Sequence, residues 1–213
     1  MRHSRGLLAV AVCALLVTTG CLGFITGSEP IYAEAEPASV DAATLEESDY
    51  QVYQSEGQNL TREFSIAGQT REATVRNQIR GYNRTLDLGP LGERDLARFS
   101  AFTSPALSIA GQDLNPIGEW SNGRLVEELS GSYGSLSGVE FEQNRTVAAL
   151  GDSRTVATFA GTATTSGQEV DVRVHVTSFK HGDDYVVAVA VHPERIDEWD
   201  RVRRLIGGLE HAE

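Results

Sequence analysis

The sequence predicts an α+β fold, with a mainly antiparallel β-sheet and helices packed on its faces. The C-terminal third contains four strand-like segments separated by the short turns GDS, TSGQ and KHGDD. The segment that follows places apolar residues at spacings of three and four, which is typical of an amphipathic helix. These residues are Ile196, Trp199, Val202, Ile206 and Leu209. Strands joined by short turns pair antiparallel. Because an amphipathic helix buries its apolar side, we expect this helix to cover one face of the sheet.

The N-terminal residues have the three parts of a secretory signal. Arg2 and Arg5 precede an apolar run at residues 7–17, which is shorter than the roughly 20 residues that cross a bilayer. The small residues Thr18-Thr19-Gly20 before Cys21 resemble a lipobox, so residues 1–20 are predicted to be a lipoprotein signal peptide. An ordinary signal or an uncleaved anchor is the alternative. Cleavage would leave Cys21 as the single cysteine, with a lipid rather than a disulfide as its partner.

Composition limits the classes of partner. The chain has 30 acidic residues against 18 basic ones, and removal of residues 1–20 takes away Arg2 and Arg5 and changes the formal charge from −12 to −14. Such a surface repels phosphate backbones, so nucleic-acid binding is not expected. Lys180 is the one lysine among the basic residues, and acid-rich, lysine-poor composition suits a protein kept soluble in concentrated salt. Three Asn-x-Thr sequons, at Asn59, Asn83 and Asn144, are potential N-glycosylation sites if they are exposed outside the cell.

The rest of the chain divides into a tether and one domain. Residues 21–38 are rich in Gly, Pro, Glu and Ala and are predicted to be a flexible tether, whereas residues 39–213 have the length of a single domain. A short helix is expected to begin near Asp41 or Thr44, where Thr44-x-x-Glu47 would be a capping box, and to end before Tyr50. Alternating strands are expected over residues 50–87, and residues 89–118 show no settled period.

The second half is easier to interpret. Ser121 is the predicted N-cap of a helix, and four strands follow at about residues 138–150, 155–164, 169–179 and 184–192. The last strand, YVVAVAV, is apolar on both faces, which predicts a central strand covered on both sides. Pro193 is expected to open the C-terminal helix.

The lipobox, the SNGRLVEEL helix, the HGDDYVVAVAVHPE strand and turn, and the closing helix resemble an uncharacterised family of lipoproteins from halophilic archaea. The resemblance implies an exported, lipid-anchored protein and supplies no catalytic residues. The order of hairpins followed by a helix is more distantly similar to PsbP-like α/β/α sandwiches, which mostly bind or assemble.

Two patterns suggest chemistry. VAALGDSR resembles the serine turn of GDSL-type hydrolases and would make Ser153 the nucleophile, but the downstream Asp-x-x-His and the parallel-sheet context are missing, so a hairpin turn is favoured. A metal site would combine the histidines with nearby aspartates. The residues considered are His175, His181, His192, His211, Asp171, Asp183 and Asp184. Their spacing is not diagnostic, and His175 is expected on a solvated face, so no catalytic residue, metal or cofactor is assigned.

The function predicted is therefore a non-enzymatic binding or assembly module on the extracellular face of the membrane. Its partners would be the membrane, through the lipid on Cys21, and an unknown envelope protein or polymer. One alternative is an envelope hydrolase or metalloenzyme, which requires His175, His181 and Asp183 to converge. The other is a glycosylated structural surface protein.

Overall fold

The structure, a computed structural model, describes residues 31–66, 69–87, 93–109, 112–130, 136–165 and 167–212. The chain forms two compact units. The first holds Leu60–Thr74 and the described residues before Glu34, and the second holds Glu34–Asn59 and Val75–Glu213. We describe each unit by itself.

The first unit is built around the tip of a long hairpin. Strands β3 (Gln51–Ile66) and β4 (Gln69–Asp87) pair with each other, and residues 60–74 include the facing ends of both strands. The hydroxyls of Thr61 and Thr74 lie 2.8 Å apart across this pair. Most of β1 (Ile31–Glu34) also belongs to this unit. Side chains at the tip are mostly exposed, so the strands are held by pairing rather than by a core.

The second unit contains the central sheet, whose strands run in the order β4-β5-β11-β10-β9-β8 with antiparallel pairing at each step. The further strands are β2 (Ser39–Val40), β5 (Glu93–Pro105), β6 (Ser108–Ile109), β7 (Gln112–Asp113), β8 (Leu136–Ala149), β9 (Asp152–Thr165), β10 (Gln168–His181), β11 (Asp184–Pro193) and β12 (Leu209–Glu210). The helices are α1 (Ala42–Ser48), a 3-10 turn (Pro116–Glu119), α2 (Asn122–Ser130) and α3 (Trp199–Gly207). The four predicted C-terminal strands are confirmed as β8 to β11, each within a few residues of the expected bounds.

The core lies on both faces of β11. Val186, Ala188 and Ala190 belong to one apolar cluster, and Val187 and Val189 belong to the other. All five side chains are buried. This confirms the prediction that the YVVAVAV segment is a central strand, because alternate side chains of a strand point to opposite faces.

Helices α1 and α2 begin where short polar side chains accept the first free backbone N–H groups, whereas α3 has no such side-chain cap. Asp41 Oδ1 accepts from Thr44 N at 2.9 Å at the start of α1, and Ser121 Oγ accepts from Arg124 N at 3.2 Å at the start of α2. Helix α3 begins at Trp199 rather than at Pro193, because Ile196 N donates to the Pro193 carbonyl and closes a turn before the helix.

The predicted α+β class, with helices packed on the faces of an antiparallel sheet as in a PsbP-like α/β/α sandwich, is wrong. Strands make up 66% of the described structure and helices 17%, in three short helices, so the fold is closer to a β-rich sandwich. Most members of both apolar clusters come from strands, and each α-helix has seven to nine residues. The strands predicted over residues 50–87 are two long ones, β3 and β4.

The predicted signal peptide, the lipidation site Cys21 and the first part of the predicted tether lie outside the described residues. Residues 31–38, also assigned to the tether, contain β1 and the buried side chains of Ala35 and Ala38. Within the described ranges, no helix is both long enough and apolar enough to cross a membrane.

Candidate functional site

A pocket of about 330 Å³ lies where strands β8 to β11 meet the start of α3. Six lining residues come from the strands, namely Gln143, Arg145, Thr158, Arg173, His175 and His192. The other four come from the turn after β11 and the first turn of α3, namely Glu194, Arg195, Asp197 and Trp199. We call this cavity the histidine pocket.

Strand register brings the central polar residues together. Gln143 faces Thr158 across the β8–β9 pair, and Thr158 faces His175 across the β9–β10 pair. His192 pairs with Arg173, two residues from His175, so it is the diagonal neighbour of His175 on the same face. The pocket floor is therefore a polar row across four adjacent strands.

The two histidines form one hydrogen-bonded chain. His192 Nδ1–H donates to the Pro193 carbonyl at 2.9 Å, because a carbonyl can only accept. Neutral His192 then accepts at Nε2 from His175 Nε2–H, also at 2.9 Å, and the two ring planes lie within 18° of parallel, with centroids 5.1 Å apart. His175 Nδ1 is left to accept from the Thr158 hydroxyl at 2.9 Å. The network fixes both tautomers.

Burial keeps both imidazoles neutral. His175 and His192 are each 3% exposed, and no carboxylate of the described chain hydrogen-bonds to either ring. Burial, with smaller contributions from His192 and Arg145, lowers the pKa of His175 to about 3. Burial also lowers the pKa of His192, although the hydrogen bond to the Pro193 carbonyl opposes this. The pair is therefore an uncharged wall of the pocket at neutral pH.

The three arginines of the pocket differ in their partners. Arg173 binds Glu142 and Glu194, each at 3.1 Å. The Arg145 guanidinium lies over the Trp199 ring, 4.3 Å from its centroid. In the described ranges, neither Arg145 nor Arg195 has a carboxylate within 4.0 Å. The pocket thus contains positive charge that the surrounding chain does not neutralise by direct pairing.

A second buried cluster anchors the start of α3 beside the pocket. The side chain of Glu198 is fully buried and forms an ion pair with Arg84, and its Oε2 accepts from the Tyr50 hydroxyl at 3.5 Å. Arg201 lies 3.8 Å from the same carboxylate. Burial and the nearby Glu198 raise the pKa of Tyr50. Because Glu198 precedes Trp199 directly, this cluster fixes where the indole enters the pocket.

The order Thr158–His175–His192 is similar to a nucleophile, a base and a group that orients the base. Its chemistry is nevertheless unfavourable for catalysis near neutral pH. A general base works best with a pKa near the operating pH, whereas burial holds the pKa of His175 at about 3. The Thr158 side chain is also buried, which leaves little access for a substrate carbonyl.

The histidine and aspartate residues considered as metal ligands do not converge. His175 and His181 lie six positions apart on β10, roughly 20 Å along a strand. Asp183 is exposed in the turn after β10. Among the residues described, no group of three His, Cys, Asp or Glu side chains could hold a metal ion. The arrangement that the metalloenzyme alternative requires is thus not formed by these residues.

His181 and Asp184 belong instead to a cluster at the β10–β11 turn, which we call the Asp184 cluster. His211 Nε2–H donates to Asp184 Oδ2 at 3.1 Å, and His211 Nδ1 accepts from His181 at 3.0 Å. Asp184 Oδ2 also accepts from the backbone N–H of Glu36 at 2.9 Å. One carboxylate therefore joins the chain before β2, the hairpin turn and the C-terminal segment.

The expectation that His175 lies on a solvated face is wrong. His175 is buried: its Nδ1 accepts from the Thr158 hydroxyl, and the Trp199 indole lies 5.6 Å away, centroid to centroid, with a tilt of 49°. Ser153, the serine of the GDSL-like turn, is exposed on β9 opposite Ala148, in an ordinary hairpin ladder. Leu150 and Gly151 provide the left-handed backbone of that turn, with φ values of 48° and 78°.

The predicted sequons differ in access. Asn59 on β3 and Asn144 on β8 are exposed. Asn83 on β4 is partly buried, and its Nδ2 donates to Asp95 Oδ1 at 2.8 Å. Asn59 and Asn144 are thus the better placed acceptors for a glycan.

Sequence reasoning missed the roles of Arg145, Thr158 and Trp199. Arg145 and Trp199 are 54 positions apart, and their contact exists only because α3 folds over β8. The one accessible clue was the two-residue turn after His181, which sets the register that makes His175 and His192 neighbours.

Comparison with known proteins places these features in a family context. The model of one protein family, described as a domain of unknown function (DUF6517), matches residues 37–210. No curated protein matches the chain. Among solved structures, the chain is similar to LpqN, which is involved in cell envelope biogenesis of Mycobacterium tuberculosis. The two are 10% identical with a TM-score of 0.37, over 83% of this chain and 99% of the other.

Proposed function

We propose that this chain, which belongs to the DUF6517 family, is a lipid-anchored binding module on the extracellular face of the cell membrane, with the histidine pocket as its ligand site. The observation that carries the binding role is a polar cavity of about 330 Å³ lined by four adjacent strands and the start of α3. Ligand sites in proteins are commonly concave, with a few convergent polar groups and volumes from about 300 Å³ upward.

The geometry supports binding better than catalysis. The base in the Thr158–His175–His192 chain has a depressed pKa, and the hydroxyl it faces is buried. Every imidazole nitrogen of the pair is also engaged within the chain, so the histidines shape the pocket without offering a free proton acceptor. A binding module needs only a fixed wall and accessible polar groups, both of which the pocket has.

The cellular location in this proposal rests on the N-terminal sequence. Thr18-Thr19-Gly20-Cys21 follows an apolar run of signal-peptide length, and a lipid on Cys21 would hold the domain at the membrane surface. The residues from 22 to about 30 would then separate the lipid from the strand β1.

Intact mass and membrane partitioning test the anchor, with the wild type compared with Cys21→Ser in a salt-loving host. We expect wild-type protein to lack residues 1–20, to carry lipid and to sediment with membranes, whereas Cys21→Ser should lose the lipid. Cys13→Ser is the matched control, because Cys13 lies inside the predicted signal and should not affect the mature protein. Equal partitioning of Cys21→Ser and wild type would contradict the anchor. The same spectra report any glycan on Asn59 or Asn144.

A further inference from the structure

We infer that the histidine pocket binds a small hydroxylated acid, whose carboxylate or phosphate group pairs with Arg145. This inference rests on the proposed role of the pocket as a ligand site and names the chemical class of its ligand.

The first step is the charge that remains after pairing inside the pocket. The lining residues include three arginines and two carboxylates, so the formal excess is one positive charge. Glu194 pairs with Arg173, whereas the Asp197 carboxylate accepts from the backbone N–H of Trp199 at 3.2 Å. Arg145 and Arg195 keep their positive charges without a carboxylate within 4.0 Å in the part of the chain that the structure describes. Since the whole chain carries a formal charge of −12, a concave site with unpaired cations stands out electrostatically and favours an anion.

The second step is the position of the Arg145 guanidinium. The central carbon of the guanidinium lies over the Trp199 ring, 4.3 Å from its centroid, so the indole holds the cation beside the pocket. No carboxylate of the described residues lies within 4.0 Å of its N–H groups. A planar carboxylate or a phosphate accepts two such N–H groups at once. Because the indole restricts the guanidinium before binding, less side-chain freedom is lost when the ligand binds.

The third step concerns what the rest of the pocket selects. The neutral His175–His192 pair gives no charge of its own, so the preference for an anion rests on the arginines. Gln143 and the carboxylate of Asp197 add groups that hydrogen-bond to hydroxyls. The volume of about 330 Å³ is at the small end of ligand pockets, which suits a single small acid or one terminal unit of a polymer.

Three probes of nearly equal size separate these features: glucuronate, glucose 6-phosphate and glucose. Each is titrated into the full-length, ¹⁵N-labelled protein in detergent micelles at low chloride, and the two tryptophan indole N–H signals are followed by NMR. Trp199 lines the pocket and Trp120 does not, so Trp120 is an internal control. We expect glucuronate or glucose 6-phosphate to move the Trp199 signal while leaving the Trp120 signal in place, and glucose to move neither.

Arg145→Gln should raise the dissociation constant of the bound acid at least tenfold, because it removes a charged hydrogen-bonding partner. Arg204→Gln is the matched control, since Arg204 is exposed on α3 outside the pocket and the change removes the same charge. Binding by glucuronate alone identifies a carboxylate, and binding by glucose 6-phosphate alone identifies a phosphate.

Two results would overturn the inference. If glucose and the acids bind equally and Arg145→Gln does not change their binding, the pocket remains a ligand site but its preference for an anionic ligand is rejected. The absence of any Trp199 shift with all three probes at tens of millimolar would reject the hydroxylated acid as the ligand class. Failure of the anchor is a separate result, because it appears in the Cys21→Ser partitioning and not in these titrations.

Discussion

Two histidines are hydrogen-bonded to each other at each end of the β10–β11 hairpin. The two chains of hydrogen bonds that they form end on different groups. In the histidine pocket, the chain through His175 and His192 runs from the Thr158 hydroxyl to the Pro193 carbonyl. At the turn, the chain through His181 and His211 ends on the carboxylate of Asp184.

This difference shows that the terminal partner decides what a buried histidine pair can do. A hydroxyl and a carbonyl satisfy neutral imidazoles but cannot compensate an added proton, so the pocket pair remains uncharged. The carboxylate at the turn forms an ionic or charge-assisted contact that ties separate chain segments together. The pocket end is therefore suited to shaping a cavity, and the turn end is suited to holding the fold.

The largest expected effect is at the turn end. Asp184→Ala leaves the Glu36 N–H and the His211 imidazole without their buried acceptor, so we expect the free energy of unfolding to fall by about 3 kcal/mol. Asp183→Ala is the matched control, because the adjacent Asp183 side chain is exposed and should change stability by no more than about 0.5 kcal/mol. Urea unfolding measures both. Similar losses for the two variants would show that Asp184 does not hold the turn.

The second expected effect is at the pocket end, where the contribution of His175 to the free energy of unfolding should depend on pH. The pKa of His175 is lowered to about 3 in the folded protein, so between pH 6.5 and about 3 the unfolded chain binds a proton that the folded protein does not. Stability from His175 is therefore complete above pH 6.5 and is lost as the pH falls below it. His175→Gln removes this proton uptake, so its destabilisation relative to wild type should be about 2 kcal/mol smaller at pH 5 than at pH 7.

Unfolding of wild type and His175→Gln at several pH values checks this expectation. Carboxylates titrate in both proteins, so their contribution cancels when the free energy of unfolding of one protein is subtracted from that of the other. A difference that stays constant from pH 7 to pH 5 would mean that His175 accepts a proton in the folded protein, which would contradict a neutral pocket wall.

The contrast between the two ends also shows what the sequence can predict. A turn within KHGDD and the two-sided apolar pattern of β11 were predicted from local sequence, and both features are set by neighbouring residues. The structure narrows the turn to the two residues after His181. Counting back from that turn places His175 opposite Ala190 and next to His192. The alternation around His175 nevertheless predicted a solvated face, because a row of His, Arg and Thr is polar whether it faces water or lines a pocket.

The fold class was predicted less well for a related reason. Residues 89–118 show no settled period, yet they contain strand β5, whose strand state depends on pairing with β4 and β11 rather than on side-chain preference. The apolar spacing after Pro193 correctly indicated a helix but not its start at Trp199. Contacts such as Arg145 over Trp199 could not be predicted, because they require the packing of α3 on β8.

The smallest expected effect tests how the pocket chain is held. Thr158→Val keeps the shape of the side chain and removes the hydroxyl that donates to His175 Nδ1, so we expect a loss of about 1 kcal/mol in the free energy of unfolding. Thr162→Val on the same strand is the control, because among the described residues the Thr162 hydroxyl contacts exposed Asp171 alone, at 3.5 Å, and its loss should cost no more than about 0.5 kcal/mol.

A double-mutant cycle with His175→Gln then separates the Thr158–His175 bond from the general cost of changing either residue. If the hydroxyl stabilises His175 in its neutral tautomer, the two changes should couple by about 1 kcal/mol. Additive losses would mean that Thr158 packs against the ring without orienting it. In that case the tautomer of His175 would be set from the His192 side alone. There the Pro193 carbonyl can only accept a hydrogen bond, so His192 must carry its proton on Nδ1.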